Sequence, residues 1–278
     1  MIALAGRPNA GKSTLLNHLC GRKISIVSDK PQTTRFAVRG VRVEGPTQLV
    51  FVDTPGLHKP VTALGTSVNA AAIGALADVD AVCLVIDATA AHGGGDRWVA
   101  EQLPKARAGG LIVIVNKIDL ATRPQVLDQL GALSGLNADA YFPVSARTGE
   151  GTDVLLRYLL DHAIDEPWMF PDDMVTDLAE DVWMAELVRE QLLAVTRDEL
   201  PYSIATRVVE QEGSRVRVEI IVERESQKGM VIGKGGSILR EVGHRARAHL
   251  PEGTYLELVV KVDKDWQRRA DRVTRLGY

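Results

Sequence analysis

The chain holds 278 residues, 45% of them apolar and 25% charged, with a formal net charge of -3. No apolar run approaches the roughly 18 residues needed to cross a membrane, so a soluble chain of two modest domains is expected. The two cysteines, Cys20 and Cys83, lie far apart in apolar stretches, which fits buried thiols in a reducing compartment better than a disulfide or a metal site.

Residues 1–5, MIALA, lack the basic leader of a signal peptide and run directly into Gly6, so they read as a first strand. The loop that follows, GRPNAGKST, has G-x-x-x-x-G-K-S spacing at Gly6, Gly11, Lys12 and Ser13, ahead of a helix expected to begin at Lys12. Its glycines let backbone N–H groups turn in on phosphates at a helix amino terminus, where negative charge is favoured. Lys12 would reach the β and γ oxygens and Ser13 would ligate Mg²⁺. Asn9, Ala10 and Thr14 complete the candidate nucleotide contacts of this loop. Next comes PQTTR, where Thr33 or Thr34 is expected to close over Mg²⁺ and the γ-phosphate.

Short runs rich in branched residues (VRGVRVEG, TQLVFVD, DAVCLVIDA, GLIVIVNK) alternate with helical stretches up to about residue 164. That order predicts an α/β domain over residues 1–164, with a mostly parallel sheet covered by helices on both faces. DTPG, at Asp53–Gly56, follows one apolar strand; Asp53 can hold the Mg²⁺ shell while the Gly56 N–H senses the γ-phosphate. Leu57 stands where many phosphate-hydrolysing switch proteins carry a glutamine that orients the attacking water, so intrinsic hydrolysis is expected to be slow. His58 and Lys59 read as mobile loop residues rather than an acid–base pair. NKID, at Asn116, Lys117 and Asp119, follows another apolar strand, and a carboxylate at Asp119 can accept from both the N1–H and the exocyclic amine of guanine. Adenine offers no such pair, and a buried carboxylate left unpaired is costly, so the base is guanine. Ser145 and Ala146 in VSAR would set the Ala146 N–H against the guanine oxygen.

DEPWMFPDDMVTD, with two prolines and a cluster of acids, reads as a linker over residues 165–180. The helix from Leu178 to Thr196 spaces Trp183, Leu187 and Leu192 for packing rather than for a partner groove. The order then changes to strand, strand, helix, helix, strand, a smaller α+β domain over residues 181–278. Residues 226–278 carry 11 Lys and Arg against 6 Asp and Glu, the bias a polyanion would use. Within them VIGKGG sets Gly233, Lys234, Gly235 and Gly236 as a G-x-x-G loop between helices, with no strand before it and no Ser or Thr after the lysine. It is therefore not a second nucleotide site. The pattern is the KH signature, which clamps about four single-stranded nucleotides by their backbone; an ordinary helix–helix turn is the alternative. The basic, amphipathic tail KDWQRRADRVTRLGY is open to RNA, or to an anionic membrane surface. His18, His92, His162, His244 and His249 show no ligand spacing, so no metal beyond Mg²⁺ is expected.

GRPNAGKSTLLN, PQTTR, DTPGLHKP, NKID and SAR, followed by DELPYS, GMVIGKGG and LELVVKVDKDWQRR, resemble the translation-factor-like GTPases and, within them, the Era family. The resemblance spans essentially the whole chain; only a short segment expected before the first strand is missing, and no motif lies there. It implies a Ras-like G domain followed by a type II KH domain. It also implies slow Mg²⁺-dependent GTP hydrolysis, binding to the 3′ end of 16S ribosomal RNA and a role in small-subunit assembly in the cytoplasm, with peripheral contact at the inner membrane a further option. By resemblance Thr34, which precedes Arg35, is preferred over Thr33, and Asn9 is a candidate K⁺ ligand standing in for an arginine finger. Lys12, Thr34 and Gly56 are then the catalytic set; Ser13, Thr34 and Asp53 are the metal set. Two other classes compete: a metabolic GTPase with a substrate-binding second domain, and an RNA-binding protein with a degenerate nucleotide fold. Intact Lys12, Ser13, Asp53 and Asp119 argue against the latter, and the absence of clustered catalytic residues in the basic domain argues against the former.

Overall fold

A computed structural model describes residues 1–90, 93–103 and 110–278, and His92 lies outside the described residues. The chain divides into two compact units: Met1–Val27, Thr34–Lys59 and Val68–Asp177 form the first, and Ser28–Thr33, Pro60–Ser67 and Leu178–Tyr278 the second.

The first unit alternates strands and helices in the predicted order. β1 (Ile2–Ala5), α1 (Lys12–Cys20), β2 (Val38–Glu44), β3 (Thr47–Asp53) and α2 (Ala63–Ala75), which belongs to this unit from Val68 onward, are followed by β4 (Ala81–Asp87), α3 (Gly94–Gln102) and β5 (Leu111–Asn116). α4 (Arg123–Leu133), β6 (Ala140–Pro143) and α5 (Thr152–Asp161) complete it. The strands order as β2-β3-β1-β4-β5-β6, parallel except for β2, which pairs antiparallel with β3. β1 and β4 are central and covered on both faces, which is why IALA and AVCLVI are continuous apolar runs rather than alternating ones. One cluster against the sheet gathers Ala3, Ala5, Val52, Leu57, Leu84, Ile86, Val113 and Val115. Because β1, β3, β4, β5 and β6 run the same way, their following loops emerge at one edge, where ligands of open α/β sheets bind.

Cys83 is buried and Cys20 half-buried, both are free thiols, and burial pushes both up to about 12, with Arg42 opposing the shift at Cys20. The predicted linker is less loose than its prolines suggest. Gln48 accepts from the Met169 and Phe170 N–H groups and donates to the Phe170 carbonyl, Trp168 donates to the Pro46 carbonyl, and the Thr176 hydroxyl donates to the Arg39 carbonyl. Residues 168–177 thus lie along the β2–β3 edge, where otherwise unpaired strand groups find partners.

The second unit holds α6 (Glu180–Val195), α7 (Leu200–Ser203), β7 (Ala205–Glu212), β8 (Arg215–Val222), α8 (Glu225–Ile232), α9 (Ser237–Arg247), β9 (Tyr255–Val262) and α10 (Ala270–Arg275). β7 and β8 are an antiparallel hairpin, and β9 adds parallel to β8. Val216, Val218, Ile220 and Val222 alternate onto the face that packs with Leu187, Leu192, Val231, Val242 and Ala246 of the helices. On the other face the charges pair: Glu219 with Arg207 and Lys261, and Arg217 with Glu210 and Glu257.

Candidate functional site

The phosphate loop is shaped by contacts only glycine permits. A Cβ on Gly6 would stand 2.4 Å from the Val85 carbonyl oxygen, and one on Gly11, at φ +93°, would stand 2.2 Å from the Asn116 side-chain nitrogen. Asn9 holds a left-handed φ of 63°, which asparagine tolerates better than most residues. Lys12 is 5% exposed and donates to the carbonyls of Gly6 (3.2 Å) and Arg7 (2.9 Å). Burial lowers its pKa to about 8, with Asp53 pulling the other way. Thr14 is half-buried in the first turn of α1.

Asp53 ends β3 fully buried. Its Oδ2 accepts from the Ser13 hydroxyl at 2.7 Å and the Thr34 hydroxyl at 3.3 Å, and those two hydroxyls are 3.0 Å apart. Thr33 turns elsewhere, its hydroxyl donating to the Lys30 carbonyl at 2.7 Å. Burial raises the Asp53 pKa, against the stabilising effect of Lys12, Ser13 and Thr34 on the carboxylate. Its other oxygen, Oδ1, is buried and makes no hydrogen bond of acceptable geometry, although the Ser25 hydroxyl also favours the carboxylate. A buried, unpartnered carboxylate oxygen beside two hydroxyls suits a hard divalent cation, so the Ser13, Thr34 and Asp53 donors fit Mg²⁺. Gly56 packs on the phosphate loop so closely that a Cβ would lie 2.5 Å from the Pro8 nitrogen.

The base-side loops are braced across the sheet edge. Asn116, 1% exposed, donates to the Ala10 carbonyl and accepts from the Ala146 N–H, each at 2.9 Å. Asn116 is therefore a brace between two loops, and the Ala146 N–H expected to face guanine is directed at Asn116. Meeting a guanine oxygen as well would require a shared, three-centre hydrogen bond. Asp119 accepts from the Ser145 hydroxyl at 2.6 Å and from Arg147 Nε at 3.0 Å. The Ser145 bond chiefly, helped by Arg147, holds its carboxyl below the usual range. It therefore stays an acceptor at neutral pH, as recognition of guanine N–H groups requires.

Two partners escaped sequence reasoning. Lys117 donates to Asp87, at the end of β4, at 2.6 Å. Although burial works against it, hydrogen bonds from Lys117 and Thr89 keep Asp87 ionised well into acid. Arg147, the last residue of VSAR, donates to Asp119, 28 residues away in the chain. No motif signals either pair, because each joins loops from different strands.

The second glycine-lysine loop follows α8, with Lys234–Gly236 in a short 3-10 turn before α9. Gly233, Gly235 and Gly236 have φ of 72°, 60° and 76°, which favour glycine. A Cβ on Gly233 would meet Ile238 at 2.8 Å, but Gly235 and Gly236 face open space. Lys234 is exposed, and Arg240, one turn into α9, reaches back to the Gly235 carbonyl at 3.4 Å. Backbone and cations are thus presented outward. Among the described residues, no cluster of three His, Cys, Asp or Glu side chains is placed to hold a metal.

A chain built this way is a G-domain GTPase with an appended KH unit. Residues 1–117 match the family model described as a 50S ribosome-binding GTPase, and residues 199–267 match the KH domain. GTPase Era of Mycobacterium tuberculosis is 46% identical over 292 aligned positions, which take in 100% of this chain and 97% of that protein; the Mycobacterium bovis protein matches to the same degree. The chain belongs to the GTPase Era family. Its fold superposes with a TM-score of 0.94 on Era in complex with MgGDPNP and nucleotides 1506–1542 of 16S ribosomal RNA, at 37% identity over 100% of this chain and 97% of that one. A second Era structure, an Aquifex aeolicus variant bound to GDP and aluminium fluoride, gives 0.93 at 37% identity, covering 100% and 98%.

Proposed function

We propose that this chain is a GTP-hydrolysing switch that binds the 3′ end of 16S ribosomal RNA through Gly233–Gly236 and acts in assembly of the 30S subunit in the cytoplasm. The observation that carries the reading is one chain holding both a guanine-selecting loop set and an outward-facing G-x-x-G loop, with full-length likeness to an Era protein solved on 16S nucleotides.

The proposed roles follow from the geometry. Gly6, Gly11 and the amino terminus of α1 wrap the phosphates, and Lys12 exchanges its loop carbonyls for β and γ oxygens. Ser13, Thr34 and Asp53 hold Mg²⁺, which when bound neutralises charge on the transferring phosphoryl group. The Gly56 N–H reports the γ-phosphate, so Thr34 and Gly56 are the two points that register hydrolysis. Asp119 selects guanine, with Ser145 orienting it and Asn116 setting the distance between base and phosphate loops. Asn9 is the proposed ligand for K⁺ as a second cation.

Peripheral membrane contact through the tail is the weaker reading. Trp266 is 0% exposed and Val273 2%, so the tail spends its apolar side chains inward. No helix among the described residues is long and apolar enough to cross a membrane. The test is filter binding of a 16S 3′-end fragment with a GTP analogue, GDP or no nucleotide. Affinity that changes with nucleotide supports a switch; equal affinity in all three leaves an RNA-binding GTPase without coupling and overturns this proposal.

A further inference from the structure

Leu57 cannot do what a glutamine does at its position. It is 1% exposed, packs in the sheet core with Val52 and Leu76, and its N–H donates to the Gly6 carbonyl at 3.2 Å. The next residue is held differently. His58 is half-buried, and its Nδ1 is 3.0 Å from the Gly56 carbonyl oxygen. A carbonyl only accepts, so Nδ1 carries the proton, and in the neutral ring Nε2 is left as an acceptor. The main chain is clamped as well: Asn69 of α2, 7% exposed, accepts from the His58 N–H at 3.4 Å and donates to the His58 carbonyl. Since Gly56 packs directly on Pro8 of the phosphate loop, the imidazole is tied to a segment that lies against that loop.

We propose that His58, through Nε2, is the positioning residue for the attacking water, and that Asn69 holds it in place. This replaces the reading of His58 as a mobile loop residue. In the step it serves, a water O–H donates to Nε2 while the water oxygen bonds to the γ-phosphorus. The bond from that phosphorus to the β–γ bridging oxygen breaks, GDP leaves with the electron pair, and the water proton ends on inorganic phosphate. Positioning of this kind requires an acceptor lone pair at the right distance, and the Gly56 contact supplies the tautomer that has one.

The test compares His58→Ala, His58→Gln and Asn69→Ala with wild type at saturating GTP and Mg²⁺. His58→Ala is expected to lower kcat about 100-fold, with KM and GDP affinity within about twofold of wild type. A glutamine oxygen can accept in place of Nε2, so His58→Gln should recover most of the loss. Asn69→Ala should fall between, since it loosens the ring without removing it. Binding of GDP with aluminium fluoride gives a readout free of turnover, and His58→Ala should lose the extra affinity that fluoride confers on wild type. Wild-type kcat and fluoride affinity in His58→Ala would overturn the assignment. So would failure of glutamine to restore rate, or loss of GDP affinity in step with kcat, which would make His58 a binding or folding residue.

Discussion

The two glycine-lysine loops use nearly the same residues in opposite ways. In the first, Lys12 is buried, a Cβ on Gly6 or Gly11 would fall within 2.5 Å of a neighbouring backbone or side-chain atom, and the loop closes between a parallel strand and a helix. In the second, Lys234 is exposed, Gly235 and Gly236 have no neighbour within 4 Å of a would-be Cβ, and the loop joins two helices. Glycine thus serves two purposes. At Gly6 and Gly11 it lets the protein approach itself, as the proposed phosphate cradle requires; at Gly235 and Gly236 it leaves the outside clear, as the proposed RNA clamp requires.

Neither loop is expected to answer to the other's ligand. Lys234→Asp combined with Gly235→Asp is expected to weaken binding of a 16S 3′-end fragment by at least about 1,000-fold, because two like charges would face phosphates at close range. GTP affinity should stay unchanged; filter binding and GTP titration, with thermal melting as the folding control, measure both. RNA bound as tightly by the folded variant would reduce the second loop to a helix–helix turn.

Next in size is the base pocket. Asp119→Asn should lower GTP affinity about 100-fold and move preference toward xanthine nucleotides, whose 2-oxo group can accept from the new amide. RNA affinity without nucleotide should not move. Competition between GTP and XTP checks it, and undiminished GTP affinity would remove Asp119 from base recognition.

A smaller effect sharpens the chemistry of the first loop. Replacing Na⁺ with K⁺ at constant ionic strength should raise turnover about tenfold, the increment of roughly 1.4 kcal/mol that one added cation contact can supply. Asn9→Ala should make the two salts equal. Equal rates in wild type would remove K⁺ from the mechanism while leaving the GTPase intact.

The smallest effect separates loop from scaffold in the second unit. Glu219, bridged by Arg207 at 2.8 Å and by Lys261, has its pKa lowered: burial opposes the shift but the two cations prevail. A carboxylate depressed in the fold adds stability that is fully present above the ordinary glutamate value of 4.5 and is lost as pH falls through its folded value. Glu219→Gln should therefore cost about 1–2 kcal/mol at neutral pH, and the gap to wild type should close on acidification. Thermal melts across pH 3–7 read it, and RNA affinity at temperatures where both are folded should be equal.

Elements whose signal is local were legible. The order of strands and helices, the strand-loop-helix setting of Gly6–Ser13 and the helical setting of Gly233–Gly236 all come from patterns a few residues long. Pairings across the sheet were not. In PQTTR only the following Arg35, by resemblance, favours Thr34 over Thr33; the fold puts the Thr34 hydroxyl 3.0 Å from that of Ser13 and the Thr33 hydroxyl on the Lys30 carbonyl.

What was readable without the fold is chemical expectation: which backbone could cradle phosphate, which carboxylate would suit guanine, and which loop lacks the hydroxyl a magnesium site needs. These depend on residue types within single loops, and a loop's conformation is set largely by its own glycines and its neighbouring elements. What each side chain is free to do depends on its neighbours in the fold. The fold turned Leu57 into the core and left His58 beside Gly56, spent both ends of Asn116 on bracing, and joined Lys117 to Asp87 and Arg147 to Asp119. A hydrogen bond reaches about 3 Å, so such partners exist only once parallel strands bring distant loops to one edge.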